Sequence, residues 1–164
     1  MDPMLTDPGS WQAEDFGIYA HLLRIMPAMI IPHEADLHNR FAYFLEISHK
    51  GDLFLDPDIG VATGSVKEPP KYIRPSEVND LLEGSTNRLL VIYQHVRGNV
   101  AKRVDKVRSR LREKIGTFSC CSYQSGTAAI LFIARKRART ELVAKHFKTL
   151  FKDRVKGRIR TFHD

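Results

Sequence analysis

The chain has 164 residues, 43% hydrophobic and 27% charged, with a formal net charge of +7. That is the size and balance of one folded domain, not of a disordered, collagen-like or disulfide-stapled chain. The longest uninterrupted apolar run, Ala128 to Ala134, is far too short to cross a bilayer, and no signal peptide is visible, so no membrane partner and a cytoplasmic location are expected.

Residues 1–10 are rich in Pro, Gly and Asp and are expected to form a flexible N-terminus, with 11–164 as a single α/β domain. The spacing of Ile18, Leu22, Leu23 and Met26 predicts a helix over Trp11–Met26, which Pro27 stops. Ala28–Ile31 reads as a short strand. Glu34–Ser48 reads as a second helix with Leu37, Phe41, Phe44, Leu45 and Ile47 on its apolar face. Leu53-Phe54-Leu55 is a compact strand that runs into Asp56. Residues 57–74 have no periodicity and are punctuated by Gly60, Gly64, Pro69 and Pro70, so a long loop is expected.

Pro75 suits the first turn of a helix ending near Glu83, with Gly84 as its stop. Arg88–Gln94 reads as a buried strand. Asn99–Lys114 reads as a helix with Val100, Val104, Val107 and Leu111 on one side. Phe118–Tyr123 and Ala128–Ala134 read as a hairpin, Arg137–Phe151 as a helix, and Arg158–Phe162 as a last edge strand. Strands alternating with helices predict a three-layer α/β sandwich with a mostly parallel central sheet plus the antiparallel hairpin. Ligands in open sheets of this kind gather beyond the carboxyl ends of the strands.

Two strand ends therefore carry the candidate chemistry. Asp56 and Asp58 follow the first strand, where a carboxylate can act as a base or accept from an amine. His95 follows the second and can serve as a general base. Gln94, Arg97, Lys71 and Tyr72 are candidate substrate contacts nearby. His33, Glu34, Asp36, His38 and His49 match no metal-ligand spacing, so no metal site is expected. Cys120 and Cys121 are adjacent and read as small apolar residues in a strand rather than a disulfide. No phosphate loop, dinucleotide fingerprint or nucleophile elbow occurs in the chain, so its own motifs name no cofactor.

The charge is unevenly placed. Residues 1–96 hold 7 Lys or Arg against 14 Asp or Glu, and residues 97–164 hold 19 against 5. A basic surface that attracts phosphates or an acidic partner is one consequence. Solvated outer faces of long helices are the other. The candidate nucleic-acid contacts are Lys102, Arg103, Lys106, Arg110, Arg135, Arg137 and Arg139. Arg108, Arg112 and Lys114 share the first of the two basic helices. Aromatic interleaving is poor, so single-strand stacking is not indicated.

The run Leu53-Phe54-Leu55-Asp56-Pro57-Asp58-Ile59-Gly60, then Lys71-Tyr72, Pro75 and Leu90-Val91-Ile92-Tyr93-Gln94-His95, resembles uncharacterised bacterial proteins that look related to class I S-adenosylmethionine-dependent methyltransferases. The likeness covers roughly residues 50–135. In the amino-methyltransferases of that class the comparable strand ends in Asp-Pro-Pro-Tyr. Asp56 and Pro57 match its first two positions, whereas Asp58 and Ile59 depart from the rest. The resemblance implies the second half of a Rossmann-like methyltransferase fold. The glycine-rich turn that holds the cofactor in that family has no counterpart in residues 1–50, where Gly9 and Gly17 stand alone. The expected function is thus a methyltransferase-like protein, which either acts, on nucleic acid for example, with Asp56, Asp58 and His95 at the site, or keeps the scaffold without the activity. The alternative is a non-enzymatic module that binds nucleic acid or an acidic partner through the basic C-terminal half. A shortened sheet leaves an open edge, and a homodimer is expected to cover it.

Overall fold

The computed structural model describes residues 40–47, 51–65, 71–151 and 157–163. The chain divides into two compact units, Met1–Asp36 and Leu37–Asp164, and every described residue belongs to the second. The expected flexible N-terminus, the helix Trp11–Met26, the strand Ala28–Ile31 and the residues His33, Glu34, Asp36, His38 and His49 lie outside the described residues. The described elements are α1 (Arg40–Ile47), β1 (Leu53–Leu55), β2 (Gly60–Val61), β3 (Tyr72–Ile73), α2 (Pro75–Glu83), β4 (Leu89–His95), α3 (Val100–Ile115), β5 (Ser119–Gln124), β6 (Ala128–Ala134), α4 (Arg137–Phe151) and β7 (Ile159–His163).

The main sheet runs β1-β4-β6-β5-β7. Only β1 and β4 pair in parallel, with Leu53 opposite Leu90 and Leu55 opposite Ile92; the other three ladders are antiparallel. The sheet is therefore mixed rather than mostly parallel. The crossover through α3 sets β5 down two places from β4. The short turn after Gln124 folds β6 back antiparallel into the gap, where it pairs with both. A return strand inserted between two others turns two would-be parallel ladders into antiparallel ones. The long loop also holds more order than expected, because β2 and β3 form a separate two-stranded parallel sheet.

Helices cover both faces. Strand side chains alternate between faces, and the pairing register puts Leu90, Ile92, Leu131 and Ile133 on one of them. All four are buried, as are Val78, Leu81, Leu82, Val104, Val107 and Leu111 from α2 and α3. On the other face Cys121 and Phe132 pack with Ala144 of α4, flanked by Val91, Tyr123, Ile130, Val143 and Phe147. Both cysteines are buried and neither forms a disulfide, and burial pushes the Cys121 thiol up to about 11, so it stays neutral. β1 is one sheet edge, and Phe54 on it is 56% exposed. No helix among the described residues is long and apolar enough to cross a membrane.

Local signals set the ends of α3. The Asn99 side chain accepts from the Lys102 backbone N–H at 2.9 Å, and the Gly116 N–H donates to Arg112 O at 3.0 Å with Gly116 at φ +72°. An Asx N-cap and a positive-φ glycine satisfy groups that a helix end otherwise leaves open. Those two stops hold α3 at 16 residues and fix its direction across the sheet.

Candidate functional site

Because β1 and β4 lie side by side and parallel, their carboxyl ends share one end of the sheet. Ile59 is the hub there. Its N–H donates to Lys71 O at 3.0 Å, and its carbonyl accepts from the His95 N–H at 3.1 Å. Gly60 pairs with Tyr72 in the β2–β3 ladder. The backbone thus brings the segment after Asp56 and Asp58 against both Lys71-Tyr72 and His95. Arg97 follows two residues later in an exposed turn.

Gln94, a candidate substrate contact, is fully buried and has a different task. Its Oε1 accepts from the Val61 N–H at 2.9 Å, and its Nε2 donates to Ile59 O at 2.7 Å and to His95 O at 2.9 Å. Every polar atom of that amide is committed to backbone. Gly60 makes this possible. It sits at φ +113°, and a Cβ built there would overlap the Gln94 amide. The sequence marks Arg88–Gln94 as a buried strand but does not reveal that the Gln94 amide bonds to the backbone of Ile59 and Val61.

Partial desolvation of the Asp56 carboxyl, although the residue as a whole is exposed, raises it above the ordinary carboxylate value, and the charge of Asp58 adds to the shift. A raised carboxyl binds its proton more tightly in the folded than in the unfolded chain. Its contribution to stability is therefore greatest at low pH and is lost as pH rises from the ordinary value through the raised one. Asp56→Asn is expected to be neutral below pH 3.8 and stabilising at pH 7, read from urea melts across that range. A stabilisation that does not change with pH would contradict this assignment.

The seven candidate nucleic-acid contacts separate into two groups. Arg103 donates to Thr63 Oγ1 at 2.8 Å and to Val61 O at 3.2 Å. Arg135 donates to Ile115 O, Thr117 O and Asn79 Oδ1 and pairs with Glu83 at 2.8 Å. Arg137 pairs with Glu141 at 2.6 Å, and Arg139 pairs with Asp52. Arg103, Arg135 and Arg139 are thus tied to other elements of the fold, and Arg137 is paired within its own helix. Lys102, Lys106 and Arg110 remain on the exposed side of α3 with Lys114, one every fourth residue. Only Arg110 has an ion-pair partner, Glu113; Lys102, Lys106 and Lys114 have no side-chain partner among the described residues.

Two surface concavities flank α4. Phe132, Leu142, Val143, His146 and Phe147 form the apolar one, and Glu141, Lys145, Lys148, Thr149 and Thr161 line part of the other. Neither includes Asp56, Asp58 or His95. No group of three His, Cys, Asp or Glu among the described residues is placed to hold a metal ion. No family model matches the chain, and no curated protein or solved structure matches it.

Proposed function

We propose that this chain is a polyanion-binding module that holds nucleic-acid phosphates on the exposed face of α3. The observation that carries the reading is the row Lys102, Lys106, Arg110 and Lys114. Like charges four residues apart on a helix cost about 0.2–0.5 kcal/mol per pair; the row contains three such pairs, and the Arg110–Glu113 ion pair eases the two that involve Arg110. The helix C-terminus offsets this only near Lys114. A ligand with repeated negative charge relieves the repulsion and releases its own counterions. The double variant Lys102→Glu/Lys106→Glu is expected to lose more than about tenfold in heparin affinity, with an unchanged or higher melting temperature. Equal affinity would contradict the reading.

A methyltransferase-like scaffold is the second reading. Its support is the parallel β1–β4 pair followed by a helix and a hairpin, the arrangement that the Leu53–Asp58 and Leu90–His95 segments lead one to expect. The glycine-rich turn that would hold S-adenosylmethionine in that family has no counterpart in the sequence of residues 1–50. The open side of Gly60 is filled by the Gln94 amide, whose two N–H hydrogens both go to backbone carbonyls. The scaffold is read as kept without the activity. Calorimetry with millimolar S-adenosylmethionine is expected to give no binding heat, and a saturable heat would overturn this reading of the scaffold.

A further inference from the structure

We infer that the chain pairs with a second copy of itself along the outer edge of β7, antiparallel and in a register centred on Thr161, so that two five-stranded sheets join into one. Among the described residues β7 is the last strand of its sheet. Its inner neighbour fixes where its backbone groups point. The Gln124 backbone N–H donates to Arg158 O at 2.8 Å, and the Ser119 hydroxyl donates to Phe162 O at 3.5 Å. Those two carbonyls face β5, in a ladder that runs without a bulge from Tyr123–Ile159 to Ser119–His163. Backbone groups of successive residues alternate between the two sides of a strand. Arg160 therefore faces β5 as well, and the N–H and C=O of Ile159, Thr161 and His163 point away from the sheet.

This outward set is complementary to itself. With a two-fold axis at Thr161, Thr161 faces Thr161 of the second copy and Ile159 faces its His163, so all three outward positions exchange both hydrogen bonds. Moving the axis by one residue leaves one outward position of each strand without a counterpart. A move to Arg160 also sets that cation directly against its own copy, and like charges so placed are destabilising. With the axis at Thr161, Arg160 instead faces Phe162 of the second copy, the same ring type that it covers in its own strand at 5.2 Å. Sheet edges are kept from pairing by a proline, a bulge or an outward cation. β7 has neither proline nor bulge. Its cation is drawn inward: the Arg160 guanidinium lies over the Phe162 ring, as does that of Arg108, and approaches Asp105 of α3 at 3.9 Å. Thr161 is exposed and borders the open concavity beside α4. β1, at the opposite edge, has three residues and cannot supply three outward positions.

The experiment is sedimentation velocity of the full chain over a concentration series, with cysteine cross-linking to read the register. The parent is expected to pass from one to two chain masses as concentration rises. Thr161→Pro removes an outward donor and leaves the bonds to β5 in place, so it is expected to weaken self-association by more than about tenfold, with the melting of the dilute chain as in the parent. Thr161→Lys sets like charges face to face and is expected to weaken it too. Under mild oxidation Thr161→Cys is expected to give a covalent dimer, because facing Cα atoms lie about 5.5 Å apart. Ile159→Cys, far from its own copy in this register, is expected to give none, as is the parent with its two buried cysteines. A monomer throughout a series that reaches about 1 mM overturns the inference. A dimer that Thr161→Pro and Thr161→Lys leave equally tight overturns it as well, and so does cross-linking of Ile159→Cys as ready as that of Thr161→Cys.

Discussion

Gln94→Glu is expected to destabilise the fold by at least about 3 kcal/mol at pH 7, which lowers the melting temperature by roughly 6–12 °C in a chain of this length. The substitution changes almost nothing in shape. It replaces the Nε2 donor by an oxygen that faces two carbonyls, Ile59 O and His95 O, at a fully buried position. It also places a charge at a fully buried position. Gly60→Ala attacks the same joint from the other side. Its new Cβ overlaps the amide, and Gly60 holds φ at +113°, where other residues are strained. The two sites share one contact, so their effects are expected to be non-additive. In a Gln94→Ala background the space for the Cβ exists, and Gly60→Ala should cost only its backbone strain, about 1–3 kcal/mol. Additive losses in the double variant would show that Gln94 and Gly60 do not act as one unit.

Arg88→Met is expected to cost about 3 kcal/mol, read as a fall in the urea midpoint without a change in slope. Arg88 is 1% exposed, and its guanidinium donates to Leu81 O in the last turn of α2 and to Gly51 O, at 2.8 Å, just before β1. It thus caps the end of one helix and fastens the start of the edge strand. Burial works against its charge, and Asp52 partly restores it. Met keeps most of the apolar stem and leaves both carbonyls without their donor. Arg88→Lys should rescue little, since a single ammonium cannot reproduce the planar fork that reaches two carbonyls in different segments. Rescue by Lys to parental stability would mean that charge alone matters at this position.

Elements with a strong periodic signal were legible. The helices Pro75–Glu83 and Arg137–Phe151 and the strand Ala128–Ala134 match their expected bounds, and the remaining described strands of the main sheet begin within a residue of expectation. The edge position of β7 was legible too. Strand order was not, because local pattern says which residues pair well but not where a crossover lands. β2 and β3 escaped notice because two residues make no pattern; their pairing rests on Ile59 and on the buried amide of Gln94. The backbone bonds of Ile59 to Lys71 and His95 lie at the end of β1 and β4 that the strand-end rule singles out. The roles of Gln94 and Arg88 were not legible, because reading Arg88–Gln94 as a buried strand does not say which groups its polar side chains bond to. The basic residues show the same limit. Charge counting put Arg103, Arg135 and Arg139 alongside the lysines of α3, whereas their partners Thr63, Glu83 and Asp52 come from elsewhere in the chain.

The salt dependence of duplex binding tests the α3 ridge most directly. Four phosphate contacts predict that log K falls with log salt with a slope of about −3.6 for a B-form duplex. Removing one contact, as in Lys106→Gln, should reduce the magnitude of that slope by about 0.9. Binding that ignores salt, or a slope that stays the same when Lys102, Lys106 and Lys114 are all replaced by glutamine, would show that the row does not touch the phosphates.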